Sequence, residues 1–265
     1  MGLTFFLATP CRNAAAWIGE CIRSVRGQSH RDWSMAVIDD ASDDDTARVA
    51  RAAAAGAKQD IRVIRNETRR YALRNVVEAL GRYAPHDSIV AVLDGDDRLS
   101  DPDALREAAR EYAADDALDA LWTRHAREDG ACAPLCRPLP EGVSPLDCDW
   151  RTSHLKTFRK RLIWGVDRRV WLDDAGRWWK SAYDVALYLP VLCLARRRKF
   201  LNRVCYVYNR RAARDHAHPD QAASARAIWA KVRESEARRK PKNVLFFVSG
   251  VAGGDVVPTI PPTET

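Results

Sequence analysis

Two short apolar runs, each ending in a cluster of acids, constrain this chain most. Residues 34–38 run into Asp39-Asp40, and residues 88–93 run into Asp94-Gly95-Asp96-Asp97. Runs of this length, alternating with helical patterns, indicate βαβ units around a buried parallel sheet. The rest of the first hundred residues keeps the alternation. Residues 3–8 read as a strand before the Thr9-Pro10 turn, 14–25 as an amphipathic helix and 46–55 as an alanine-rich helix. Residues 61–64 read as a third strand and 71–83 as a third helix. In open α/β sheets ligands lie beyond the carboxyl ends of the strands. Both acidic clusters fall at that edge. One such cluster reads equally well as a solvated loop, but two on the same edge point to a binding site.

The second half is less regular. Residues 101–113 read as a helix with Asp101 as its cap and Pro102 at its first position. Residues 118–123 read as a strand and 130–145 as a Pro/Gly-rich loop. Residues 154–164 and 181–194 look helical, 204–208 look like a strand, and 221–239 form a charged helix before a proline-containing tail. The fold expected is α/β: a single Rossmann-like domain, its mostly parallel central sheet flanked by helices, with a helical C-terminal extension.

At 265 residues, 46% hydrophobic and 30% charged, the composition is that of a soluble globular protein. No run approaches the roughly 18 apolar residues of a membrane span. The opening Met-Gly-Leu-Thr-Phe-Phe lacks the basic residues of a leader, and Phe6 stands where a myristoylation signal wants Ser or Thr. Seven cysteines, scattered and without a CxxC pair, are no disulfide framework and fit a reducing, cytoplasmic compartment. Small buried residues are their default reading, ahead of zinc ligation by Cys132, Cys136 and Cys148. The formal charge of +7 favours an anionic partner: a nucleotide, a nucleic acid or an acidic membrane surface. Basic runs at 159–161, 196–199 and 238–240 offer peripheral contact with such a membrane, or are solvated faces.

Three stretches carry candidate chemistry. In Asp94-Gly95-Asp96-Asp97 an extended chain delivers Asp94 and Asp96 to the same side, and such hard oxygen donors suit Mg²⁺ or Mn²⁺ bridging phosphate oxygens. The same residues also suit a Gly-containing turn with exposed acids. In the stretch from Asp39 to Thr46, strand-end carboxylates can accept from base N–H or ribose hydroxyl groups, while Ser42 or Asp45 can cap the next helix. In residues 66–75, Arg69, Arg70 and Arg74 near a helix start can meet a phosphate or a base, or form a solvated basic face.

Together with Pro10-Cys11-Arg12-Asn13 after the first strand, these stretches, in this order, resemble the nucleotide-sugar-binding half of family 2 glycosyltransferases of the GT-A fold. The resemblance covers about residues 3–110 and implies donor-nucleotide contacts at Pro10, Arg12, Asp39, Asp40, Arg74, Asp94 and Gly95. Asp40, with Asp39 beside it, would meet the base and Asp94 the ribose. Asp96 would hold Mn²⁺ or Mg²⁺, with Asp94 and Asp97 as further ligands. Arg12 departs from the family, which has a base-stacking aromatic there; a guanidinium plane can stack as well. In the other half, Tyr183-Asp184 resembles the family's Glu-Asp pair with Tyr183 in place of the first acid, making Asp184 the general base. Asp184 equally suits a helix N-terminus. The segment around His154 is similar to one near the donor sugar and acceptor, and His216 and His218 fall where related enzymes place a histidine near the metal.

The resemblance divides the chain into a nucleotide-sugar half at 1–110, an acceptor half at 111–215 and a helix with tail at 216–265. It implies an inverting glycosyltransferase that takes a nucleotide-diphospho-sugar, with UDP-sugars favoured, and a glycan, lipid-linked or protein acceptor. A non-catalytic nucleotide-sugar or glycan-binding module is the reading that Tyr183 keeps open. A sugar-nucleotide nucleotidyltransferase lacks its Gly-rich loop here, and a nucleic acid would meet the acids at the sheet edge.

Overall fold

A computed structural model describes residues 2–132, 134–209 and 219–239. His216, His218, Lys240 and the tail lie outside the described residues. One eight-stranded sheet runs through the domain in the order β3-β2-β1-β4-β7-β6-β8-β5. Its first half is β1 (Phe5–Cys11), α1 (Ile18–Arg26), β2 (Trp33–Asp39), α2 (Thr46–Ala54), β3 (Ile61–Arg65), α3 (Ala72–Tyr83) and β4 (Ile89–Val92). These four strands pair in parallel. The second half adds β5 (Arg98–Leu99), α4 (Ala104–Ala114), β6 (Leu118–Arg127), β7 (Lys156–Arg159), α5 (Tyr183–Leu194), β8 (Arg197–Tyr208) and α6 (Gln221–Arg239). There β7 runs antiparallel between β4 and β6, and β6 pairs with β8 in parallel.

The alternation along β1 sorts the core into two faces. Phe5 and Leu7 pack with Ile18, Ile22, Leu105 and Tyr112 of α1 and α4. Phe6 and Ala8 pack on the opposite face with Leu73, Val76 and Leu80 of α3 and Leu187 and Val191 of α5. Each fully buried Leu, Ile or Phe contributes about 1.5–3 kcal/mol. Helix α5 is apolar around its whole circumference and buried from Val185 to Leu192, as a helix enclosed on all sides must be. Past their paired segments the strand ends stay in register. Asp40 N donates to Cys11 O (2.9 Å) and Gly95 N donates to Pro10 O (3.0 Å), which brings the two acidic clusters to one edge.

Several sequence expectations are corrected. Residues 154–164 are not a helix but strand β7 followed by a 3-10 turn, Lys160–Gly165. Thr157 and Phe158 are buried between two neighbouring strands, so the helical spacing had no solvent face to serve. Helix α4 starts after Asp103, because Asp101 accepts from Asp103 N (2.8 Å) and closes the preceding turn instead. Strand β8 begins at Arg197, well before 204, and takes in most of a basic run.

Several cations of those runs are engaged internally. Lys160 Nζ donates to Ala84 O (2.5 Å), Arg161 and Arg196 converge on buried Asp119, and Arg197 pairs with Asp115 (2.8 Å). All seven cysteines are unpaired. Among the described residues no helix is long and apolar enough to cross a membrane.

Candidate active site

A cleft of about 560 Å³ opens at the carboxyl edge of β1, β2 and β4, facing the start of α5. Backbone strain is gathered around it. Among the described residues four non-glycines have positive φ: Asn13 (50°), Ala41 (56°), Tyr71 (66°) and Ala182 (52°). Each lines the cleft or adjoins a residue that does. Such conformations cost about 1–3 kcal/mol apiece and persist only where surrounding bonds enforce them. Here Asn13 N donates to Ser42 Oγ (2.9 Å) and Tyr71 N to Asp40 Oδ2 (2.8 Å).

On the β2 side, Asp40 lines the cleft and fastens the loop before α3. It accepts from Asn66 Nδ2 (2.9 Å), Arg70 N (2.7 Å) and Tyr71 N. Burial pushes this carboxyl up, but the Asn75 amide and these donors outweigh burial and hold it below the usual range. Asp39 is not in the cleft wall: it is fully buried, accepts from Ser42 N (3.0 Å) and pairs with Arg65 (3.4 Å). Arg74 also lies outside the wall, held on Glu78 at 2.6 Å. Pro10 and Arg12 line the cleft, with Arg12 paired to Asp43 (2.8 Å). Tyr71 adds an aromatic wall that sequence reasoning missed, with the Arg69 guanidinium 4.5 Å and the Lys180 ammonium 5.4 Å from its ring centroid.

The turn after β4 places Asp94, Asp96 and Asp97 in the wall. Gly95 is required there by packing, because a Cβ would overlap the Cβ of Cys11. Burial first, and the Asp96 charge next, push Asp94 up to about 7, against the hydrogen bond it accepts from the Tyr183 phenol. Asp97 is held from beneath, accepting from Tyr206 Oη (2.6 Å) and Asn209 N (2.7 Å). Burial and the neighbouring carboxylates push it well up too. Among the described residues no three His, Cys, Asp or Glu side chains form a ready-made metal centre. Two crowded carboxylates facing a cleft nevertheless fit Mg²⁺ or Mn²⁺, which are commonly held by one or two carboxylates plus substrate phosphates.

Opposite this turn, Asp184 sits in the first turn of α5 and lines the cleft. Its ion-pair partner is Lys156 at 3.8 Å, a buried residue of the segment around His154 to which the sequence reading gave no role. His154 lines the cleft and stacks on Tyr206 (centroids 4.5 Å apart). Burial, Lys156 and His125 push its imidazole well below the usual value. His125, also missed, contacts Cys136 Sγ (3.1 Å) and is pushed down to about 4 by burial and the charges of Lys156 and Arg127. His125 stands in no recognisable local pattern, and its meeting with His154 depends on β6 and the chain entering β7 converging in space.

This arrangement, with strand-end acids at one sheet edge and a helix-borne carboxylate across the cleft, is that of the GT-A fold. Residues 7–133 match the model of glycosyl transferase family 2. EpsE of Bacillus subtilis (strain 168), named as a glycosyltransferase, is 34% identical over 105 residues, 38% of this chain and 37% of EpsE. S. aureus TarS 1-349 in complex with UDP superposes with a TM-score of 0.65 at 19% identity, covering 87% of this chain and 65% of that one. The mannosyltransferase PcManGT from Pyrobaculum calidifontis, solved with GDP-Man and Mn²⁺, gives 0.56 at 16% identity over 90% of this chain and 76% of that one. The chain therefore spans a little over a third of EpsE and about two thirds of the TarS fragment.

Proposed function

We propose that the chain is a metal-dependent, inverting glycosyltransferase acting on a nucleotide-diphospho-sugar, with a UDP-sugar favoured, and an acceptor hydroxyl. One observation carries the reading: Asp184 and the Asp94–Asp96 turn face one cleft, and Tyr183, next to Asp184, is bonded to Asp94. Pro10, Arg12, Asp40 and Tyr71 form the wall that would receive the nucleotide. The structures of TarS with UDP and with UDP-GlcNAc, and of PcManGT with GDP-Man, support a donor of this class. Asp94 and Asp96 would hold Mn²⁺ or Mg²⁺, which when bound neutralises charge growing on the departing diphosphate.

Asp184 takes the proton of the acceptor hydroxyl as its oxygen attacks the anomeric carbon from the face opposite the diphosphate. The bond to the diphosphate breaks in the same displacement, and the configuration inverts. A base so placed contributes on the order of 10²- to 10⁴-fold. His154, kept neutral by its surroundings, and Tyr183 shape the sugar side of the cleft.

The test is calorimetric titration of UDP, GDP and dTDP, each with and without Mn²⁺, followed by transfer from the sugar nucleotide that binds. One nucleotide should bind, tightened by metal, and Asp96→Ala should abolish the tightening. Asp184→Asn should keep nucleotide affinity and lose transfer. Retained turnover in that variant removes Asp184 as base, and no binding of any nucleotide removes the donor site.

A further inference from the structure

We propose that Lys156 is a positioning residue whose buried ammonium fixes the Asp184 carboxylate toward the cleft, an inference that rests on Asp184 acting as the base. Lys156 is the first residue of β7, paired in register with Val92 of β4 and Trp122 of β6, in the middle of the sheet. A lysine there is out of keeping with the apolar residues on either side. It is among the largest fully buried side chains of the protein. An ammonium removed from water is costly unless a charge of opposite sign stands by it. The register places it two residues from the acid turn, and its ammonium reaches Asp184 at 3.8 Å.

The groups around this ammonium make it a buried cation behind the cleft wall. Asp184 faces it from α5, Asp94 from the turn after β4, His125 from β6, and Cys136 and His154 from the loop between β6 and β7. Both imidazoles are held neutral by burial and by Lys156 itself, so neither replaces it. At 3.8 Å the ammonium attracts the carboxylate without occupying an oxygen in a hydrogen bond. The carboxylate is thereby anchored from behind while its oxygens stay available to an acceptor hydroxyl. Lys156 is absent from the cleft wall, so it acts through Asp184 and not on substrate.

The test uses Lys156→Met and Lys156→Gln, the second keeping a polar tip should the first not fold. Nucleotide affinity without metal and acceptor KM should stay within about twofold of the wild type while kcat falls by about 10²-fold, the size expected of a displaced catalytic group. Lys156→Arg should recover part of the loss. In the Asp184→Asn background the same substitutions should cost nothing further, because both act through one carboxylate. A crystal structure of Lys156→Gln should show the Asp184 carboxylate turned from its place, a readout that needs no acceptor.

Unchanged kcat, an unmoved carboxylate, or a loss shared equally by kcat and metal-free nucleotide affinity would overturn the assignment. Wild-type turnover by Asp184→Asn alone removes the base reading instead. Loss in Asp184→Asn with full activity in Lys156→Gln removes only the role of Lys156.

Discussion

The phenol of Tyr183 donates to the carboxylate of Asp94, joining the first residue of α5 to the turn that follows β4. The two residues are 89 positions apart, and their bond ties the acid edge of the sheet to the helix that carries Asp184. Burial and the Asp94 charge push the phenol well above its ordinary value, so it remains a donor throughout the working pH range.

Tyr183→Phe should therefore change how proton and metal compete at Asp94. In the wild type, metal-supported nucleotide binding should weaken as pH falls through about 7, where Asp94 takes up a proton. The phenol's hydrogen bond pulls that value down, so its removal should start the weakening at higher pH. Calorimetry with Mn²⁺ at several pH values checks this. Identical pH profiles would show that the bond does not tune Asp94.

Gly95→Ala should destabilise the protein by about 1–3 kcal/mol, the range for overpacking a filled site. The added methyl would strike the Cβ of Cys11 and come within 3.1 Å of Ile18 Cδ1. Because the clash is with a Cβ, Cys11→Ser should not relieve it and Cys11→Gly should. Urea denaturation of the single and double variants reads both outcomes.

Asp40→Asn should weaken both the fold and the nucleotide site. An amide cannot accept from Asn66, Arg70 N and Tyr71 N as the carboxylate does, and Tyr71 then loses the bond that sustains its positive φ. Leaving buried donors unsatisfied costs about 1–3 kcal/mol. Stability should fall by that amount and nucleotide affinity by at least about tenfold, since 1.4 kcal/mol is one decade of binding. Retained affinity in a destabilised variant would confine Asp40 to holding the loop.

His125 should make the protein sensitive to mild acid. Its imidazole takes a proton near 6.5 when unfolded and near 4 when folded, so lowering the pH through that window favours the unfolded chain. Asp94 and Asp97 shift in the opposite direction, so the effect is read as a difference from His125→Asn, in which they are unchanged. Between about pH 7.5 and 5 the wild type should lose about 2 kcal/mol relative to the variant, measured by denaturation with chelator present. A difference independent of pH would show that His125 is protonated alike in both states.

Much of the first half of the fold was legible in the chain because its information is local. Each parallel strand is a short apolar run ended by a turn, and sterics and burial at neighbouring positions are enough to define it. The acids after β2 and β4 could be placed at one edge because parallel strands share a direction. Asp39 and Asp40 show where that reasoning stops: the side chains alternate, so one carboxylate enters the cleft and the other is buried against Ser42 and Arg65. Arg74 likewise falls between the cleft residues Ala72 and Asn75 of α3 but is itself outside the wall and closes on Glu78.

The second half depended on contacts that no local pattern records. Residues 156–159 become a strand because β4 and β6 offer an open slot between them, which outweighs a helical spacing of apolar side chains. Arg161 and Arg196 of two basic runs turn to an acid far away in sequence, Asp119. By itself the sequence determined the βαβ half, the acid turn at its edge and the helix-borne aspartate, because hydrophobic periodicity and turn chemistry act over a few residues. Only the tertiary structure decided that Tyr183 meets Asp94, that Lys156 lies behind Asp184 and that His125 and His154 share one wall. Those pairings join groups from 28 to 89 residues apart, and long-range packing alone brings such groups together.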